Sequence, residues 1–153
     1  MSSVSREQGL RLMAQDEEDV AVLSSALQDS ILRMRDVSYD PRARRFTAVV
    51  SRFRWESAKG QGPYQRIRAA LSVDGVEAVR SRKVRLDAPD SLAYLLAMRF
   101  ESGAEPPAGQ MRLVLAGGGE IALECECVDA LLVDFGEPWL TRRRPQHEAG
   151  QDA

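Results

Sequence analysis

A chain of 153 residues, 44% of them hydrophobic, with 21 basic and 23 acidic side chains, has enough apolar material to bury a core of its own. One His and two Cys argue against a His-rich zinc centre and a disulfide framework. No apolar run approaches the roughly 18 residues of a membrane-spanning helix, and the polar, Ser-rich start Met1–Gln8 lacks the layout of a secretory signal. The expectation is a cytoplasmic protein without membrane association, formed by one domain over 9–140 with polar termini at 1–8 and 141–153.

In chain order, residues 9–14 alternate apolar and polar as a short strand. A helix is predicted over 16–29. Asp16 is the N-cap, Glu17, Glu18 and Asp19 sit where the helix dipole favours negative charge, and Val20, Leu23, Leu27 and Ile31 form one apolar stripe. From Ile31 the period is two. A strand over 31–37 leads through the turn Tyr39-Asp40-Pro41-Arg42 into a long strand over 45–55. Lys59 to Pro63 reads as a loop. Strands over 66–73 and 76–86 are joined by Asp74-Gly75, which predicts a hairpin. Asp87-Ala88-Pro89-Asp90 is a turn, 92–100 a strand, and Gly103 to Gly109 a loop. Strands over 111–115 and 120–128 flank Gly117-Gly118-Gly119 as another hairpin, and a final strand covers 130–135.

A weak repeat runs through this pattern. Val37, Asp40, Arg52 and Phe53 recur as Val84, Asp87, Arg99 and Phe100. Arg68, Leu71, Gly75, Ala78 and Val84 recur as Arg112, Leu115, Gly119, Ala122 and Val128. The expected fold is α+β and mainly antiparallel, with one N-terminal amphipathic helix. A duplicated four-stranded unit (about 31–83 and 84–135) would form the two halves of a barrel or sandwich.

The net charge of −2 conceals a segregated pattern. Residues 1–29 carry two basic and six acidic groups, 30–100 fifteen and seven, and 101–140 one and eight. A basic middle between acidic flanks suggests an anionic partner. Arg42, Arg44, Arg45, Arg52, Arg54, Arg66 and Arg68 interleave with Phe46, Phe53, Trp55 and Tyr64, the mixture that single-stranded nucleic acid recognition uses. Alternating strands also need a charged outer face to stay in solution, and Arg80 and Arg82 fall where the second unit has Glu124 and Glu126. The basic and acidic faces of the two halves would then either neutralise each other or solvate opposite sides.

No catalytic constellation emerges. Cys125 and Cys127 flank Glu126 on a predicted strand, which places both thiols on one face, but two thiols are half a zinc site. His147 lies in a polar tail where nothing fixes it. The run Asp16 to Asp19 is explained by capping, and Asp40 and Asp87 by turn chemistry. The glycine run lacks the Lys-Ser/Thr and following helix of a phosphate loop. Trp139 is expected to anchor the C-terminal segment to the core. No cofactor or metal ligand is expected.

At Asp16-Glu17-Glu18-Asp19-Val20-Ala21-Val22-Leu23-Ser24, Leu27-Gln28-Asp29-Ser30, Arg45-Phe46, Arg52-Phe53-Arg54-Trp55-Glu56, Gly118-Gly119-Glu120-Ile121 and Phe135-Gly136-Glu137-Pro138-Trp139 to Arg144-Pro145-Gln146-His147, the chain resembles the alphaproteobacterial family known as domain of unknown function 2948. The resemblance covers nearly the whole chain. It implies a small bacterial cytoplasmic protein and brings no activity, cofactor or catalytic residue with it. It also marks Trp139 and Arg142–His147 as family-like rather than loose tail.

The functional expectation is a non-enzymatic interaction domain. An exposed sheet surface around Arg52, Arg54 and Trp55, with Trp139, Arg142, Arg143 and Arg144, would hold a protein or an anionic ligand. The alternatives are RNA or single-stranded DNA binding, and an enzyme whose pocket joins Asp40, Asp87 or the cysteine pair.

Overall fold

The computed structural model describes residues 9–58, 60 and 62–141. It contains β1 (Arg11–Ala14), α1 (Glu17–Leu27), β2 (Ser30–Asp40), β3 (Arg45–Phe53), β4 (Tyr64–Asp74), β5 (Val76–Arg82), β6 (Leu92–Ser102), β7 (Gly109–Leu115), β8 (Glu120–Cys125) and β9 (Ala130–Thr141).

Helix α1 begins where its sequence predicts. The Asp16 carboxylate accepts from Asp19 N at 2.8 Å, and the Asp19 carboxylate accepts from Gln15 N at 2.9 Å. This reciprocal arrangement satisfies backbone donors that the first helical turn leaves unpaired. Val20, Leu23 and Leu27 are the buried stripe, and the helix packs mainly on β6, with β1 and β3 beside it. It stops at Gln28, and Asp29 takes a φ of 65° as the chain turns into β2.

All nine strands join one antiparallel sheet in the order β1-β9-β4-β3-β2-β6-β7-β8-β5. The α+β class and the single N-terminal helix therefore hold. A closed barrel does not form, because β1 and β5 are each paired on one side only. A single apolar cluster takes residues from α1 and from every strand, among them Ala14, Leu32, Val50, Leu71, Val76, Leu95, Leu113, Leu123 and Leu132. Each fully buried Leu in it contributes about 1.5–3 kcal/mol of transfer free energy.

The Asp74-Gly75 hairpin is not formed. Both edges of β4 are occupied, by β3 and by β9, so no edge remains for β5. Gly75, at φ 73°, instead passes the chain across to the far end of the sheet, where β5 pairs with β8. The crossing is held by Val76 N donating to Arg44 O (2.9 Å) and Glu126 N donating to Gly75 O (3.0 Å). In the same way β9 leaves β8 and pairs with β4. Between β9 and β5 the strand order is thus β2-β3-β4 and β6-β7-β8 back to back, each flanked by the other set's last strand. Gly119 closes a true hairpin between β7 and β8, so its sequence correspondence with Gly75 is not carried by strand pairing.

The last strand is longer than its apolar pattern suggests. It continues past Phe135 through a bulge in which Gly136 adopts φ 77°, and resumes with Trp139 opposite Arg66. Trp139 is 41% exposed and lies outside the core cluster, so it does not anchor the C-terminal segment as expected. Arg142, Arg143, Arg144 and His147 lie outside the described residues.

Candidate functional site

Side chains alternate along a strand, so Arg52 shares the inward side of β3 with Phe46, Ala48 and Val50. It is fully buried, contrary to the expected surface position. All five guanidinium N–H donors are used. Nε and Nη2 donate to Asp134 at 2.7 and 2.8 Å, Nη1 and Nη2 to Glu56 at 3.1 and 2.6 Å, and Nη1 also to Phe53 O at 3.3 Å. Burial pushes the Arg52 pKa down, but the hydrogen bonds and charges of Asp134 and Glu56 outweigh it and hold the pKa above the ordinary value. Asp134 lies on the inward side of β9, and its Oδ2 also accepts from Leu10 N at 2.8 Å, tying β1 to the same cluster.

Arg54 is likewise buried, with Nη1 on the Gln65 side chain and Nε 3.6 Å from Glu56. Trp55 is half-buried, stands edge-on to Phe53 at 4.5 Å between centroids, and donates Nε1–H to Gln28 O at 3.1 Å. Arg52, Arg54 and Trp55 therefore build the end of the sheet rather than its outer surface.

The outward face holds a different Arg/aromatic set. Strand register lines up Tyr94 (β6), Ile31 (β2), Ser51 (β3), Arg68 (β4) and Phe135 (β9) across five strands. The adjacent row is Arg66 and Trp139, with Phe53, opposite Arg66 on β3, fully buried. Tyr94, Phe135 and Trp139 are each more than two-fifths exposed. The Arg68 guanidinium lies 5.8 Å from the Phe135 centroid, and Arg66 sits at the same distance from that of Phe53. Arg66 is half-buried and donates to Ser51 O at 2.9 Å; burial lowers its pKa, partly opposed by Asp29 and Tyr94. Neither row contains a carboxylate, and neither arginine forms an ion pair among the described residues.

Much of the remaining positive charge in the middle segment is neutralised by the acidic segment. Arg44 pairs with Glu126, Arg80 with Glu124 at 3.3 Å, Arg82 with Glu120 at 3.6 Å, and Arg52 with Asp134. The β5–β8 pairing brings Arg80 and Arg82 to Glu124 and Glu120, and the Gly75 crossing brings the Arg44 turn beside Glu126.

The other candidates resolve into structural roles. Cys125 ends β8 buried in the core, while Cys127 lies beyond the strand and is half-buried, so the expected common strand face does not exist. Asp40 accepts from Arg42 N at 3.0 Å and Ala43 N at 3.3 Å, closing its turn. Asp87 faces Arg85 on the surface. Among the described residues no group of three His, Cys, Asp or Glu could hold a metal ion. Among the described residues no helix is long and apolar enough to cross a membrane.

These features define a small α+β domain with an open antiparallel sheet, one packed helix and an Arg/aromatic outer face. The chain belongs to the family described as "Protein of unknown function (DUF2948)", whose model matches residues 10–147. No curated protein and no solved structure matches it. Arg68, Phe135 and Tyr94 could have been grouped only with the register in hand. The inward position of Arg52 was legible from its parity with Phe46, Ala48 and Val50.

Proposed function

We propose that this chain is a non-enzymatic bacterial interaction domain of the cytoplasm that binds a protein or an anionic ligand on the outer face of β9, β4, β3, β2 and β6. One observation carries the reading: Tyr94, Phe135 and Trp139 are exposed on one face with Arg68 among them and no carboxylate in their rows. Exposed aromatics beside an arginine supply apolar area and a charge-assisted donor together, the composition of binding hot spots. Arg142, Arg143 and Arg144 follow directly on β9 in sequence.

The test is affinity capture with the full chain carrying Arg68→Glu and Trp139→Ala. A specific partner recovered by the wild type should be lost from the variant while the thermal midpoint stays close to wild type. Equal recovery by both would refute the proposal. The stacking geometry also supports RNA or single-stranded DNA as the ligand. That reading requires affinity for an oligonucleotide that falls linearly with log salt; salt-independent or absent binding would exclude it.

Duplication belongs to the same proposal. The back-to-back order of β2-β3-β4 and β6-β7-β8, with β5 and β9 exchanged, supports a repeat running 30–82 and 92–141. This register differs by one strand from the one that matching residues suggest.

A further inference from the structure

The sheet has a notch beside β6. Arg33 to Ser30 of β2 pair with Leu92 to Leu95, whereas β7 joins β6 only from Leu95 onward. One edge of Leu92–Tyr94 is therefore left without a strand neighbour, and the β7–β8 turn and the segment after β5 stand around it. The result is a cleft of about 430 Å³ lined by Lys83, Arg85, Ser91, Leu92, Tyr94 and Gly119 among others. That volume lies within the range of small-molecule sites.

The chemistry of the lining is one-sided. It contains two cations and two hydroxyls but no carboxylate. Lys83 forms no ion pair among the described residues, and the only partner of Arg85 there is Asp87, with both side chains three-quarters exposed. Such a surface contact is largely screened and leaves the guanidinium available. Leu92 and Tyr94, 50% and 44% exposed, form an apolar wall beside the charges.

The backbone explains how Lys83 is aimed. Lys83 adopts φ 59°, a left-handed conformation uncommon for a long side chain. Gly117 and Gly118 are left-handed too, at 87° and 90°. A Cβ on Gly118 would lie 3.6 Å from Lys83 Nζ, so the ammonium rests over the glycine turn. A Cβ on Gly119 would come within 3.1 Å of Lys83 O, a tight contact that the bare glycine avoids. The glycines let two turns meet closely, and Lys83 is held at the rim of the cleft between them.

We propose that this cleft binds a small phosphate monoester carrying a flat apolar moiety, of the nucleoside monophosphate type. Lys83 and Arg85 take the phosphate, and Tyr94 with Leu92 packs against the ring. The cleft shares Tyr94 with the Arg68 face, but its two cations, Lys83 and Arg85, are not part of that face.

The experiment is calorimetric titration of the full chain with AMP, inorganic phosphate and adenosine. AMP should bind at one site, with each of its two parts weaker by about tenfold or more. Lys83→Gly removes the ammonium while suiting the left-handed backbone, so the fold is retained. It should weaken AMP by roughly tenfold, the scale of one charge-assisted hydrogen bond. Arg68→Glu should leave AMP affinity unchanged. No saturation by AMP at millimolar concentration would overturn the proposal, as would undiminished binding by Lys83→Gly. Inorganic phosphate binding as tightly as AMP would overturn the role of the apolar wall.

Discussion

Arg52 Nε lies 2.7 Å from Asp134 Oδ1, and both side chains are sealed from water, at 0% and 1% exposure. Removing one partner of such a pair strands a buried charge, whereas replacing both with apolar groups removes the desolvation cost as well. Arg52→Met should cost about 3–5 kcal/mol in denaturant unfolding. The double variant Arg52→Met with Asp134→Leu should recover part of that loss, the remainder being the Glu56 carboxylate and the Leu10 N–H deprived of these partners. A double variant as unstable as the single one would show that the pair matters through shape rather than charge.

Glu56 completes this cluster. Burial raises its pKa, but the hydrogen bonds and charge of Arg52 outweigh burial and hold it below the ordinary value of 4.5. With the folded pKa lowered, the contribution is complete above the unfolded value and disappears as pH falls through the folded one. Acid titration of stability should show a loss setting in below about pH 4.5 that is shallower in Glu56→Gln. Parallel curves for the two proteins would contradict this.

The two cysteines should separate chemically. Burial pushes the Cys125 thiol up to about 12, which removes thiolate at neutral pH, and Cys127 lies outside that enclosure. A thiol reagent at pH 8 should label Cys127 in the native protein and reach Cys125 only on unfolding. Mass mapping of the modified peptides distinguishes them.

Helix α1 rests on a cap made by two aspartates. Asp16→Ala should lower stability by about 1 kcal/mol, and Asp16→Asn should keep most of it, since the amide oxygen can still accept from Asp19 N. Thermal melts of both variants test this. Equal losses would mean that charge, rather than the hydrogen bond, does the capping.

Two glycines should respond differently to alanine. At Gly109 a Cβ would lie 2.3 Å from Glu101 O and 2.6 Å from Phe100 Cζ, against the paired strand. The backbone there must move, at a cost of about 3 kcal/mol or more. At Gly117 the space is open and only φ 87° opposes the change, for about 1–2 kcal/mol. Urea midpoints of the two variants should fall in that order.

Elements were readable in the sequence because each is encoded locally. Asp16 marks a helix start, alternation marks strands, and Asp40, Asp87 and the glycine run mark turns. Partners were not, because pairing is decided between distant segments. Asp74-Gly75 carries hairpin chemistry, yet the edge it would need is taken by β9. The candidate site failed for the same reason. Which arginines meet which aromatics depends on register across β6, β2, β3, β4 and β9, and no single segment contains it. Parity within one segment does carry information. Arg52 alternates with Phe46, Ala48 and Val50, as Asp134 does with Ala130 and Leu132, and two opposite charges in core parity were a pair in waiting.

The exchange of β5 and β9 has a consequence for how the molecule is made. When β2 to β4 emerge from the ribosome, the outer edge of β4 is bare, and β9, which covers it, follows the other eight strands in the chain. β5 in turn has no docking edge until β8 exists. Neither half can finish without the other, so the nascent chain carries two open edges until β9 has been made. That is the interval in which strand-edge aggregation threatens it most.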